Sequence, residues 1–141
     1  MKNIKSILNK ILPFEDFCFL LLCIALCSVP ILFFPLSYVH GTSMDPTLKD
    51  GDLVILTTLG DISDGDIVIV DTSKNNDFYC DKIIKRYYAD KSDEHSIWVE
   101  GDNYENSYDS RSVGKLNRKD VYGKMMINVS EIWRDLESLI S

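Results

Sequence analysis

The sequence predicts a mainly β domain carried behind one N-terminal membrane-spanning helix and ending in a short C-terminal helix. Three observations predict it. Phe17 to Val39 is a run of 23 residues without a charge. After it, short apolar runs alternate with Gly, Asp, Asn and Ser. Near the end, Ile132, Trp133, Leu136, Leu139 and Ile140 fall on one helical face. With 141 residues there is room for one domain plus an anchor. The division reads as a basic leader over 1–13, an anchor over 14–39 and a domain over 40–141.

In the leader, Lys2, Lys5 and Lys10 stand without an acid. Ile4, Ile7, Leu8 and Ile11 recur beside them at helical spacing. That pattern suits a short helix on the inner membrane surface, ended by Pro13. Glu15 and Asp16 mark the near end of the anchor. At about 1.5 Å per residue its uncharged run is long enough to cross a hydrocarbon core of about 30 Å. Pro30 and Pro35 kink or shorten it, which lipid-spanning helices tolerate. A cleaved signal peptide is the competing reading. Its apolar stretch would be shorter, and no small-x-small site follows Pro35. Three lysines precede the span and only Lys49 falls in the fifteen residues after it. The expected arrangement is therefore a single pass through the cell membrane, N-terminus cytoplasmic and domain outside.

The runs Leu53–Leu56, Ile67–Val70, Ile83–Ile84, Ile97–Val99 and Met125–Ile127 read as strands. Several are continuous rather than alternating, which predicts cover on both faces. Asp50-Gly51-Asp52 and Asp64-Gly65-Asp66 precede the first two runs, an echo that suggests two similar turns. The C-terminal helix, capped by Asn128 or Ser130, is expected to pack its stripe against the sheet rather than touch the membrane surface. Asn128-Val129-Ser130 also fits a glycosylation sequon.

Net charge is −7, and from His40 onward 12 basic residues face 20 acidic ones. An acidic domain without a basic stripe excludes nucleic acid as the expected partner. Cys18, Cys23 and Cys27 lie in the apolar run and only Cys80 in the domain, so no intradomain disulfide is available. His40 and His95 are isolated, and no metal-ligand spacing occurs. Neither metal nor cofactor is expected.

The chemistry concentrates just beyond the anchor. Gly41-Thr42-Ser43-Met44-Asp45-Pro46-Thr47-Leu48 offers Ser43 as a nucleophile, and Lys85-Arg86 offers Lys85 as its base. A serine hydroxyl needs an adjacent base at neutral pH, and a desolvated lysine can fill that role. Ile83 and Ile84 are suitable apolar lining for it. Taken alone, Lys85 reads as a solvated strand-edge lysine and Gly101–Arg111 as a polar turn loop. The order of anchor, serine box, lysine and Gly101-Asp102-Asn103…Ser107-Tyr108-Asp109-Ser110-Arg111 outweighs both readings.

Those boxes, with Gly51-Asp52, Gly114 and Tyr122-Gly123-Lys124, resemble the successive boxes of type I signal peptidases, from the anchor to about residue 127. The resemblance implies coiled antiparallel β-sheets and a Ser-Lys serine endopeptidase that removes signal peptides from exported preproteins. It also implies small side chains at the first and third positions before the cut. By matching position, Ser43 is the nucleophile, Lys85 the general base, and Ser107 the residue that orients the lysine amine. Asp109 and Arg111 match a bracing pair. Gly41 stands where some members carry an oxyanion-hole serine. Only fifteen residues separate Lys85 from Gly101, so the chain resembles the compact members, the mitochondrial inner-membrane type among them. Two other functions fit parts of the pattern. A self-cleaving Ser-Lys repressor would carry a DNA-binding domain where the span stands. A catalytically silent assembly factor for secreted or pilin-like subunits could dispense with Ser43 and Lys85. The expected partners are signal-peptide-bearing preproteins and the lipid bilayer.

Overall fold

The computed structural model describes residues 14–140; the basic leader read over 1–13 lies outside them. The chain divides into two compact units, one ending at Phe33 and one beginning at Phe34. Helix α1, Phe14–Phe33, has 20 residues. Among the described residues no helix is long and apolar enough to cross a membrane. The uncharged run does not continue as helix to Val39. Pro35 has no N–H for the helical ladder, and Leu36–Tyr38 instead forms a strand, β1.

The second unit is a curled, seven-stranded antiparallel sheet. Its strands after β1 are β2 Leu53–Thr57, β3 Ile67–Asp71, β4 Lys82–Tyr88, β5 Ser96–Glu100, β6 Leu116–Asn117 and β7 Val121–Asn128. They lie in the order β1-β2-β7-β3-β4-β5-β6. All five expected runs are strands. β1 was hidden inside the anchor reading, and β6 is too short to carry a pattern. Leu36 faces Ile55 and Tyr38 faces Leu53, which ties β1 to the sheet edge.

Burial on both faces holds for β3 alone. Ile67 and Ile69 enter one core cluster with Val39, Met44, Leu48, Val54 and Leu56. Val68 and Val70 enter the other with Ile83, Tyr87, Ile97, Val99 and Leu116. β2, β4 and β5 are half-covered, each alternating buried with partly exposed positions. A continuous apolar run is therefore compatible with a strand that is open on one side.

The two Asp-Gly-Asp turns are built alike. The Asp52 N–H donates to the Lys49 carbonyl while the Lys49 N–H donates to the Asp52 carboxylate. Asp66 and Ser63 repeat both bonds. Gly51 and Gly65 sit at φ +85° and +83°, where a side chain would be strained. Lys124 ties the second turn down by donating to the Asp61 carbonyl and the Asp66 carboxylate.

The last helix departs most from expectation. Helix α2 is the four-residue Ser110–Val113, and α3 is Val129–Ile140. Asn128 does cap α3, its side-chain oxygen accepting from the Glu131 N–H. But α3 turns its polar side to the sheet. Ser130 Oγ accepts from the Leu53 N–H at 2.9 Å, and Arg134 grips the buried Asp52 carboxylate at 2.5 and 3.2 Å. The apolar stripe points outward, with Trp133 63% and Leu139 82% exposed. Asn128 is also unsuited to glycosylation: it is buried, and its amide nitrogen donates to Asp52.

Candidate active site

Ser43 sits in a turn pinned from both sides. Met44 and Leu48, 1% and 0% exposed, anchor it in the first core cluster. The Leu48 N–H donates to the Met44 carbonyl, and Asp45 donates back to Thr42. Pro46, in a cis peptide after Asp45, completes the bend. The loop after β5 holds the turn in place: Asn103 N–H donates to the Ser43 carbonyl at 3.0 Å, and its side-chain amide donates to the Thr42 carbonyl at 3.0 Å.

Lys85 lies at an inward position of β4, between the buried Ile83 and Tyr87 and opposite Val68 of β3. Strand alternation alone thus drives a lysine inward, where it is 3% exposed. Burial pushes its amine down to about 8; the negative charge of Asp109 pulls the other way and does not overcome it. The amine donates to Ser107 Oγ at 2.9 Å. Ser43 and Lys85 line one cavity of about 430 Å3, together with Val39, Met44, Ile69, Phe78, Ile83, Ile84 and Tyr108.

Ser107 passes its own proton onward, donating to Asp109 Oδ2 at 2.5 Å. Asp109 is fully buried and also accepts from the Gly101 N–H at 2.8 Å. Arg111 meets it with a fork, Nε on Oδ1 at 2.9 Å and Nη2 on Oδ2 at 2.6 Å. Burial would raise the Asp109 carboxyl. The bonds from Arg111, the Gly101 N–H, Ser107 and the Arg111 N–H outweigh it and hold the group down to about 2. The carboxylate therefore stays ionised and acceptor-only, which makes Ser107 its donor and leaves the Ser107 oxygen to face the lysine. The chain Lys85–Ser107–Asp109–Arg111 is one connected network.

Gly101 is where these parts meet. A Cβ at this position would overlap both Ser107 Oγ and the Ser43 carbonyl oxygen, so the close approach of the two loops requires a residue without one. Gly41 is not brought into the cavity. It is exposed at φ +88°, and its N–H donates to the Asp50 carboxylate at 2.7 Å. That N–H is spent on the turn, so the expected catalytic support from Gly41 has no geometry behind it. Among the described residues the Ser43 N–H itself has no hydrogen-bond partner.

Sequence reasoning missed a second clamp. Arg86, on the opposite face of β4 from Lys85, forks onto Asp102 at 2.8 and 2.6 Å and reaches the Gly65 carbonyl at 2.8 Å. Asp102 also accepts from Thr47 Oγ1 at 2.5 Å. Burial would raise the Asp102 carboxyl, but the bonds from Arg86 and Thr47 keep it below the usual range. The far end of the serine turn is thereby tied to the strand that carries Lys85. All three residues stand inside the boxes already singled out, which was the available signal.

Ser107→Ala is expected to lower turnover by about tenfold to a hundredfold while moving the melting temperature by only a few degrees. Asp109 keeps Gly101 and Arg111 as donors in that variant, so the loop stays closed. Steady-state kinetics beside a melting curve check it; a collapse of the fold would make Ser107 a structural residue.

Comparison with known proteins adds a separate finding. The family described as "Signal peptidase, peptidase S26" matches residues 11–94 and 88–130. Mitochondrial inner membrane protease subunit 1 of Homo sapiens is 32% identical over 108 aligned residues, covering 63% of this chain and 65% of that protein. The match thus takes in a little under two thirds of that relative's length.

Proposed function

Because this chain belongs to the signal peptidase family, peptidase S26, we propose that it is a membrane-anchored serine endopeptidase that removes signal peptides from exported preproteins through Ser43 and Lys85. The observation that carries the reading is the buried Lys85 amine, bonded to Ser107 in the cavity that Ser43 also lines. A neutral amine that donates to Ser107 keeps its lone pair free for a serine proton.

The reaction runs in two halves. Lys85 Nζ takes the Ser43 proton as Ser43 Oγ bonds to the scissile carbonyl carbon. The tetrahedral adduct collapses, the C–N bond breaks, and the leaving amine takes that proton from Lys85. The acyl-serine remains. Lys85 then removes a proton from water, the resulting hydroxide adds to the acyl carbon, and Ser43 leaves with the proton restored. The unengaged Ser43 N–H supplies one donor for the oxyanion. The apolar lining of the cavity from Val39, Met44, Ile69 and Ile84 suits a substrate with small apolar side chains beside the cut. The anchor is read from the uncharged run Phe17–Val39 and its flanking lysines, with the N-terminus cytoplasmic and residues 40–141 outside.

The direct test is cleavage of a signal-peptide substrate in detergent by the purified protein and by Ser43→Ala. Loss of cleavage in the variant supports the reading. Equal cleavage overturns it, and no cleavage by either protein favours the silent assembly factor.

The acidity of Lys85 sets a pH dependence. Turnover should climb with pH to a plateau, with an apparent pKa close to 8, since only the unprotonated amine is a base. Stability follows the same group. Unfolded, Lys85 keeps its proton up to about 10.4; folded, it loses it at about 8. Across that window the unfolded chain binds more protons, so the Lys85 contribution makes stability rise with pH and fall on acidification through it. Melting curves from pH 7 to 10 should therefore slope more steeply for the parent than for Lys85→Met. Equal slopes would mean that the amine is not held neutral by the fold.

A further inference from the structure

We propose that three rings in the Ser43–Lys85 cavity, Phe78, Tyr79 and Tyr108, form a subsite for a large apolar side chain, aromatic above all, on the second substrate residue before the cut. This rests on the peptidase reading above and adds a substrate class to it. The cavity lining falls into two parts. Val39, Met44 and Ile69 belong to the first core cluster, and Ile84 packs against it. Phe78, Tyr79 and Tyr108 make the aromatic part, and Phe78 packs against the second cluster. These rings come from two loops. Phe78 and Tyr79 lie in the β3–β4 loop, closed at its base by bonds from the Thr72 N–H to the Asp81 carbonyl at 2.8 Å and from Thr72 Oγ1 to the Cys80 carbonyl at 2.6 Å. Tyr108 stands between Ser107 and Asp109, both held in the Lys85–Arg111 network. Phe78 and Tyr108 meet edge to face, ring centroids 5.6 Å apart at 73°, an arrangement that ring quadrupoles favour. The aromatic part is thus in place without a ligand, which lowers the cost of binding one.

Three observations choose the occupant. Tyr108 is 49% exposed and Tyr79 fully exposed where they line the cavity. Such uncovered rings are desolvated well by another ring or a branched aliphatic chain. No Asp or Glu lines the cavity, although the domain is acidic. A lysine or arginine side chain finds no counter-charge there, whereas an apolar one needs none. The rings also continue the lining that holds Ser43 and Lys85, so a polypeptide whose scissile carbonyl meets Ser43 passes them. An extended chain sends successive side chains to opposite sides. With the small first and third side chains on the aliphatic part, the second turns away from it, and the rings receive it.

Signal-peptide substrates that differ only at this residue, Phe, Leu or Ala, test the subsite with the full chain in detergent. The Phe substrate should exceed the Ala substrate in kcat/KM by at least about tenfold, most of it in KM, with Leu between them. Tyr108→Ala should bring that ratio to within about twofold of one, and Tyr108→Phe, which keeps the ring, should retain it. Tyr79→Ala removes a fully exposed ring, so its effect is read without a change in folding; it should lower the ratio at least about threefold. A parent ratio near one, or a ratio that neither alanine variant moves, overturns the proposal. Faster cleavage of the Phe substrate by Tyr108→Ala than by the parent overturns it in favour of a steric stop. The Ser43→Ala protein, titrated with the same three peptides in fluorescence anisotropy, reports the preference without catalysis. If the parent cleaves none of them, the peptidase reading falls and the anisotropy ratio alone decides the subsite: a preference for Phe keeps it, and equal binding of Phe and Ala removes it.

Discussion

Lys85→Arg should reduce cleavage by at least about 10³-fold, nearly as much as Lys85→Ala. Arginine preserves the positive charge and the length but cannot give up its proton at workable pH. It would also be forced into a site where burial disfavours the charged form, between Ile83 and Tyr87 on the inward side of β4. Lys85→Met, similar in volume and uncharged, separates chemistry from folding: it should be as inactive as Lys85→Arg yet melt no lower than the parent near neutral pH. Rates measured with one signal-peptide substrate across the four proteins decide it. Substantial turnover by Lys85→Arg would mean that another group acts as the base.

Asp109→Ala should be the most damaging change to stability within the site, by about 3–5 kcal/mol. The fully buried carboxylate accepts from the Gly101 N–H, Ser107 Oγ, and the Arg111 N–H and guanidinium. Alanine strands the Gly101 donor and leaves a guanidinium without its counter-charge. For a domain of this size the melting temperature should fall by at least about 12 °C. Activity should fall with it, since Ser107 loses the acceptor that directs its oxygen toward Lys85. Ser107→Ala provides the contrast, with lowered turnover on a nearly unchanged melting curve. If Ser107→Ala unfolds the domain while Asp109→Ala melts like the parent, the division between orienting residue and brace is reversed.

Much of this molecule was legible in its sequence. The β-branched runs became β2, β3, β4, β5 and β7 because they offer rows for a pleated surface. The twin Asp-Gly-Asp echo proved to be two turns with the same pair of hydrogen bonds. Ser107, Asp109 and Arg111 fall within one loop, where the resemblance implied an orienting serine and a bracing pair; that the two join through the Ser107–Asp109 bond is seen only in the structure. What the sequence hid has physical causes. Leu36–Tyr38 is as free of charge as the residues before it, and an uncharged run does not by itself separate an apolar helix from an edge strand. The stripe on α3 was visible, but amphipathicity fixes only the angle between its two faces; Arg134 meeting Asp52 decides which one turns inward. The Thr47–Asp102–Arg86 clamp joins segments far apart in the chain, and each residue alone reads as an ordinary solvated polar group.

The tie between Arg134 and Asp52 bears on how the domain can be handled in solution. An apolar tail invites removal, and cutting after Asn128 would discard Trp133, Leu139 and Ile140 in one step. It would also discard Arg134 and Ser130, leaving the buried Asp52 without its cation and the Leu53 N–H without its acceptor. Asp52 shares its turn with Lys49, one residue past the core anchor Leu48 of the serine turn. A shortened chain would thus gain solubility while loosening the segment that presents Ser43. Recoding the outer stripe to Lys, Glu and Gln, with Ser130 and Arg134 kept, is the route to a soluble form whose serine turn stays braced.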